Sequence, residues 1–503
     1  MFKLPPEILG FIFCLASFRE EFENNFNFIL VCRYWFEVAS HIPRHWEFWG
    51  STLNGWKRCY LRHPKMPLDL VLDRGTHRAR FPASVAKALR DRTSQDTIQL
   101  VHLRSEDNRL LGSILRTLTA DPEEVRCSRM ESFILRNQGG RVVNVSEFFA
   151  QTHFPKLRHL DITNCIISPL GTLLSQIKLL TTLVLHLNMP LPTKSELFSL
   201  LASNPSIQKL ALTGHSILNH QGEDGEQSRV SLPELKELKL AGRSREVSTF
   251  LNNLVIPDVL DRLDINLDCC GVEDISGGIG PYLRDFFRRR GRSQNDLGIC
   301  ASLESDVLFH VGDGDTLHSP TLVTKPAAPF LTVTLIPPMM LIPDDNALYD
   351  LKNELFLGLI ACTPQEKIVY LKIRDDPTAT DGNSTAMGNV YGLLPNLKVL
   401  HSEWMLLSLL FPKQIAERKD LSPSQSLRHL IIESTGDDWT PLTSFLSLSR
   451  TSLAKRLDFL HITSPARMRP EVEEDVGSSV QEFRLVRVPR SLVVTTTGTQ
   501  TRI

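Results

Sequence analysis

Several short stretches carry residue types that could do chemistry. "GHSIL" at 214–218 begins like a nucleophile elbow, in which a serine on a tight strand-to-helix turn attacks an acyl carbon. Leu218 stands where that turn needs its second glycine, so His215 reads as an ordinary turn residue. "GGIGPYL" at 277–283 lacks the third glycine of a dinucleotide loop and follows no clean strand. Gly278 and Gly280 read as a turn, with Pro281 starting a helix. "GDGDTLH" at 312–318 has two aspartates at neither EF-hand nor phosphotransferase spacing and reads as a surface loop. The 15 histidines include no HExxH pair, and the nine cysteines include no CxxC pair. Catalytic, cofactor and metal-binding residues are therefore not assigned.

The charge balance narrows the partners. Fifty-six basic residues face 57 acidic ones, so no global field draws the chain to nucleic acid or an anionic membrane. "FFRRRGR" at 286–292 is the densest charge run. Tyr282, Leu283, Phe286 and Phe287 give its helix a buried face, and arginines at the C-terminal end suit the helix dipole. An odd cysteine count without a framework points to a reducing compartment. The sequons at Asn144 and Asn383 carry no weight there. The opening apolar run is broken by Pro5, Pro6 and Glu7, unlike a signal peptide. "LTVTLIPPMMLIP" at 331–343 is too short and too proline-broken to span a bilayer. The expected location is cytoplasmic or nuclear.

The elements that hold these residues fall into two kinds. "LPPEILGFIF" at 4–13 predicts a short helix, with Pro5 or Pro6 in its first turn and Glu7 near the positive dipole end. Ile8, Ile12 and Leu15 line one face; Leu9, Phe13 and Ala16 line another. "NFILVCRYWFEVASHIPRHW" repeats the feature. Phe28, Val31, Trp35, Val38 and Ile42 form one row, and Cys32, Phe36 and Ala39 form a second. A helix packed on a single core shows one stripe. Two rows on each helix ask for burial on two sides, and a unit this small is marginal alone.

These residues resemble an F-box. The matching positions are Leu4, Pro5, Glu7, Ile8, Ile12, Phe13, Val31, Cys32, Arg33, Trp35, Ala39, Pro43 and Trp46, over roughly a tenth of the chain. The layout is similar to that of the large F-box families of mushroom-forming fungi. The resemblance implies a three-helix module that binds a Skp-type adaptor and, through it, a cullin ubiquitin ligase. It places adaptor contacts at Leu4, Pro5, Glu7, Ile8, Ile12, Val31, Cys32, Trp35, Pro43 and Trp46.

Beyond the box an apolar-x-x-apolar-x-apolar pattern recurs, often just after a proline. It begins after the alternating Leu68, Leu70 and Leu72. It is carried by Ile98, Val101, Leu103; Met130, Phe133, Leu135; Leu157, Leu160, Ile162; Leu180, Leu183, Leu185; Ile207, Leu210, Leu212; Leu235, Leu238, Leu240; and Leu260, Leu263, Ile265. Later examples start at Ile368, Leu397, Leu427 and Leu457. The starts from Ile98 to Leu260 lie 23 to 32 residues apart, the period of a leucine-rich repeat. Helices fit between strands, as in "NRLLGSILRTL" and "TKSELFSLLAS", where Thr193 and Glu196 spell a capping box. Cys165 and Asn188 take the repeat's turn position; His215, Arg243 and Asp268 replace them elsewhere. The interval 266–367 keeps the rhythm least, with "DLGICASL" and "FLTVTLI" as its strands. The segments 219–228 and 374–389 read as flexible surface insertions.

The expected fold is α/β: an all-α F-box at 1–50, a linker helix at 51–66, an irregular leucine-rich-repeat solenoid at 67–489 with a parallel sheet on its concave face, and a flexible tail at 490–503. The expected function is substrate recognition for a Skp-cullin-F-box ubiquitin ligase, without catalysis in this chain. The alternative is a protein-interaction scaffold that engages no ligase. Candidate substrate contacts beside the strand leucines are Arg158, His159, Lys209, Lys236, Lys239 and Arg428.

Overall fold

The computed structural model describes residues 4–6, 8–9, 32–40, 68–74, 98–119, 125–170, 176–187, 192–214, 217, 229–257, 260–268, 270–290, 296–303, 306–313, 329–337, 345–374, 393–403, 426–433, 457–464, 468 and 470–487. The linker helix at 51–66, the insertion at 219–228, the tail at 490–503 and residues Asn188, His215, Ser216 and Asn383 lie outside them. Two compact units divide the chain: residues 1–239 with 253–257, and residues 240–252 with 258–503.

In the first unit, Leu9 N donates to Pro5 O at 3.0 Å, closing the helical turn that the opening prolines predict. Helix α1 covers Arg33–Ser40. The repeat strands follow as β1 (Leu68–Arg74), β2 (Ile98–Ser105), β3 (Ser132–Asn137), β4 (His159–Ile166), β5 (Thr182–Leu187) and β6 (Lys209–Thr213). Each pairs in parallel with the next one in the chain. Register aligns the predicted apolar residues: Val101, Phe133, Leu160, Leu183 and Leu210 share one row, and Leu103, Leu135, Ile162, Leu185 and Leu212 the next. All ten are buried. A strand with one such face cannot bury it alone; the neighbouring strand and the returning segment do so.

The prolines that precede several of the strands have a structural cause. Leu157 N donates to Phe154 O, Ile207 N to Asn204 O and Leu235 N to Leu232 O, at 3.4, 3.3 and 3.2 Å. Pro155, Pro205 and Pro233 are thus second residues of β-turns, where a fixed φ near -65° suits the geometry. A second repeated device follows. Arg158 and His159 both donate N–H to Glu131 O, Thr181 and Thr182 to Arg158 O, and Gln208 and Lys209 to Thr181 O. Each fork locks a new strand onto its predecessor.

Helix α2 (Asn108–Leu118) is capped by the Asp107 side chain, which accepts from Arg109 N and Leu110 N. Helix α3 (Lys194–Ala202) carries the predicted capping box, with Thr193 and Glu196 each bonding the other's backbone N–H. The core beside β3 is aromatic: Phe133 stacks on Phe148 with centroids 5.1 Å apart, and Phe149 meets Phe133 edge-on at 5.5 Å. At the strand ends a polar ladder stands beside the expected turn position. Buried Asn137 donates from Nδ2 to Arg141 O and Asn164 O, and Asn164 donates to Gly139 O. Asn164 has φ 56°, a left-handed conformation that asparagine tolerates, and interrupts the register between β4 and β5. Cys165 is buried as the repeat pattern requires, its thiol 3.4 Å from Thr163 O.

Strand β7 (Glu237–Arg243) spans the boundary between units, and helix α4 (Ser244–Asn252) follows it. The second unit contains β8 (Arg262–Asp268), α5 (Gly280–Arg290), β9 (Leu297–Ser302), β10 (Val307–Asp313), β11 (Leu331–Ile336), α6 (Asp345–Ala361), β12 (Ile368–Arg374), β13 (Val399–Glu403), β14 (His429–Glu433), β15 (Leu457–Ser464), α7 (Pro470–Ser479) and β16 (Val480–Arg487). Strands β12 to β16 form a parallel ladder in chain order. The same fork recurs there: Arg428 and His429 donate to Lys398 O, and Asp458 and Phe459 to Arg428 O.

Before that ladder the order inverts. Strand β8 pairs in parallel with β11, β11 antiparallel with β10, β10 antiparallel with β9, and β9 in parallel with β12. "DLGICASL" and "FLTVTLI" are strands as expected, but β10 between them runs against the rest. Gly312 and Asp313 therefore end a strand rather than open a loop. Antiparallel neighbours need no crossover helix, so this stretch loses the repeat's period. A second expectation also fails. Asp274–Ile279 is a π-helical turn that runs directly into α5, so Gly278 and Gly280 are helical rather than a turn before Pro281. A Cβ on Gly280 would overlap Ile275 O, and one on Gly278 would lie 2.9 Å from Ser248 Oγ. Leu283, Phe286 and Phe287 are buried as the pattern predicts. At the basic end of α5, Arg290 donates to Leu260 O at 2.6 Å and lies 3.9 Å from the Phe330 ring centroid.

Candidate binding surface

On a pleated strand, residues between two buried positions face outward. In the first unit the outward row between the two apolar rows is His102, Ile134, Asp161, Val184 and Ala211. Its centre is an ion pair. Arg136 Nη2 lies 2.6 Å from Asp161 Oδ2, with Nε at 3.1 Å, and the side chains are 47% and 3% exposed. Thr163 Oγ1 adds a longer bond to Asp161 Oδ1 at 3.4 Å. His159 lies beside them; burial lowers its pKa, Asp161 opposes this, and Arg136 and Lys209 add to it. Lys209 pairs with Glu237 at 2.6 Å.

In the second unit the corresponding row runs Cys300, Lys372, His401, Ile431, His461 and Arg484. Glu433, two residues beyond Ile431 on the same face, gathers the charges. Its Oε1 is 2.6 Å from His401 Nε2 and 3.0 Å from Lys372 Nζ. The carboxylate can only accept, so His401 carries a proton on Nε2, while its Nδ1 lies 3.4 Å from Tyr370 Oη. The His401 hydrogen bond, with Lys372 adjacent, holds the Glu433 carboxyl well below the usual carboxylate range despite its burial. His429, Phe459 and His461 continue the surface, with ring centroids 5.8 and 6.1 Å apart. Burial, Arg484 and His401 lower the pKa of His461, against a smaller effect of Glu433.

Both units thus present charged, imidazole and aromatic side chains on the outward faces of paired strands. The thiols resist activation: burial pushes Cys165 up to about 12, and burial with Asp274 and Glu273 pushes Cys270 up to about 12. Among the described residues no group of three His, Cys, Asp or Glu side chains could hold a metal ion. No helix among them is long and apolar enough to cross a membrane.

The sequence-derived contacts are placed as follows. Arg158, Lys209, Lys236 and Lys239 are exposed and His159 is half-buried in the first unit; Arg428, in the second, is half-buried 3.9 Å from Asp458. The set does not include the two ion-pair clusters, because pairing across strands depends on register. Aligning the residue after each central leucine, Lys372, His401, Ile431 and His461, would have exposed the second one. In the box, Leu4, Pro5, Ile8 and Cys32 are exposed and Trp35 is half-buried. Tyr34 O–H donates to Leu4 O at 2.6 Å, joining the opening turn to α1. Glu7, Ile12, Val31, Pro43 and Trp46 lie outside the described residues.

No family model matches this chain, and no curated protein matches it. Among solved structures, a leucine-rich repeat-containing protein from Legionella pneumophila is similar at 12% identity and a TM-score of 0.23, over 81% of this chain and 98% of that one. The chain itself is a mixed α/β protein of stacked, mainly parallel strands.

Proposed function

We propose that this chain is a substrate-recognition adaptor of a Skp-cullin-F-box ubiquitin ligase, with the N-terminal box binding the Skp-type adaptor and the strand ladders binding a substrate protein. The observation that carries the reading is the two-sided opening turn. Leu9 is fully buried, while Leu4 and Ile8 are 46% and 51% exposed. Large apolar side chains held outward on a helix whose other side is packed suit a partner helix. In this reading Leu4, Pro5 and Ile8 meet the adaptor, and Trp35 supports them from α1. Bond-making chemistry belongs to other subunits. A contact of this kind removes about 800 Å² per partner, with a few residues dominating.

The test is capture of a purified Skp-type adaptor by the full chain and by its Leu4→Ala, Pro5→Ala double variant. Loss of capture with an unchanged melting midpoint supports the reading. Absent capture by the intact chain, or equal capture by the variant, overturns it. A coarser function, a protein-interaction scaffold without ligase engagement, rests on the charged strand faces alone and survives that result.

A further inference from the structure

We infer that β16 is a self-association edge through which two copies of this chain pair antiparallel, centred on Phe483. The inference does not depend on the box. Strand β16 pairs with β15 from Val480 opposite Leu457 to Arg487 opposite Ser464. Among the described residues no strand pairs with its other edge. That edge carries alternate backbone donors and acceptors, a template for another strand. The inward side chains are incompletely covered. Phe483 and Leu485 are half-buried, whereas Leu460 and Ile462, their equivalents one strand back, are fully buried.

The choice of a second copy comes from charge. Glu482 and Arg484 flank Phe483, are exposed on the outward face, and form no ion pair among the described residues. Residues opposite each other in an antiparallel pair share a face. A two-fold axis through Phe483 therefore sets Glu482 of each copy against Arg484 of the other, twice, with Phe483 against itself and Leu485 against Gln481. Shifting the axis to Glu482 or Arg484 places like charges in contact. The sequence Glu-Phe-Arg thus favours this register over its two neighbours, and it alone sets both opposite-charge contacts in a symmetric pairing, the form an isologous interface takes. The pairing also keeps both outward faces on the same side of the joined sheet.

The test uses the full chain in sedimentation equilibrium across the micromolar range. The intact chain is expected to dimerise. Glu482→Arg puts Arg against Arg, and Arg484→Glu puts Glu against Glu, so each single variant is expected to lose at least about tenfold in dimer affinity. Mixing the two variants restores both opposite-charge contacts, so a heterodimer is expected. The double variant Glu482→Arg, Arg484→Glu should dimerise like the intact chain. Rescue by mixing shows that each variant is folded. A monomeric intact chain overturns the inference, whether its own residues 488–503 or another protein covers the edge. Single variants that still dimerise, or a mixture that stays monomeric, also overturn it.

Discussion

Arg136 reaches from half-exposed ground to hold the buried carboxylate of Asp161 at 2.6 Å, diagonally across the strand pair, for Asp161 stands opposite Ile134 and Arg136 opposite Thr163. The two ends of this pair are not equivalent. Arg136→Ala leaves a desolvated carboxylate without its cation, whereas Asp161→Ala leaves a guanidinium that can turn to water. Arg136→Ala is expected to cost about 1–3 kcal/mol and Asp161→Ala less, with the double change costing less than the sum. Urea unfolding of the three variants measures this. A larger loss for Asp161→Ala would show that packing rather than charge governs the site.

Two glycines should respond in opposite directions to alanine. A Cβ on Gly139 would overlap Glu106 O, beside the asparagine ladder. Gly139→Ala is expected to destabilise by about 1–3 kcal/mol. Gly112, inside α2, has nothing within 4 Å of an added Cβ. Gly112→Ala is expected to stabilise by about 0.5–1 kcal/mol. Thermal melting of both variants checks the pair.

Acid should weaken the fold through two half-buried histidines. Burial lowers the pKa of His186 and of His310 below 6.5, and each places Nδ1 3.0 Å from a threonine hydroxyl on the neighbouring strand, Thr213 and Thr332. Asp264 opposes the shift at His310 and Arg262 adds to it. The fold favours the neutral ring, so below pH 6.5 the unfolded chain binds more protons. Stability is complete above that value and falls as pH drops through the lowered folded values. Melting midpoints on either side of pH 6.5 should show the decline, and His186→Asn with His310→Asn should reduce it, leaving the part that His159 and His461 contribute. A midpoint that rises on acidification would reverse the assignment.

Glu433 gives a second, lower window. Its carboxyl titrates below the ordinary 4.5, so the stability it adds is present above that value and fades as pH falls beneath it. Glu433→Gln should remove this lower contribution while those of His186 and His310 stay, and His461, freed of the opposing carboxylate, should shift further down. If both phases persist, the His401–Glu433 contact contributes little in solution.

The strand faces offer a binding test. If the proposed substrate recognition holds, a protein captured by the intact chain should be lost on reversing Arg158, Lys209, Lys236 and Lys239 to glutamate, or on Lys372→Glu with His401→Ala. Quantified capture of one identified partner decides between the first-unit and second-unit faces. Unchanged capture by both sets would place recognition elsewhere.

Much of the fold was legible because parallel stacking leaves a strong local signature. Each predicted triplet, from Ile98 to Leu457, lies on or directly before a strand, since the burial of alternate residues is local, as is the proline turn ahead of several of them. Legibility failed where the cause was remote. Nothing near Val307–Asp313 announces an antiparallel strand, because its partners, Leu297–Ser302 and Leu331–Ile336, set its direction. Gly278 and Gly280 look like turn residues by composition. Their cause is close packing, against Ser248 for Gly278 and against Ile275 O and Cys362 for Gly280. The charged clusters were hidden for the same reason: Lys372, His401 and Glu433 meet only once three strands are in register.

The inverted strand order also imposes a timetable on synthesis. In the first unit, Phe133 meets its neighbour at Leu160, and each strand can dock as soon as it leaves the ribosome. In the second, Leu263 must wait for Leu331, and Ile299 for Leu371. While translation advances, one edge of β8 waits for β11, and β9 has only the β10 hairpin until α6 has been made and β12 arrives. Non-local closure of this kind is slow and leaves strand edges open. The nascent chain is therefore most vulnerable to misassociation during the interval from Arg262 to Arg374, and a stall placed there should yield more aggregate than one placed before Thr213.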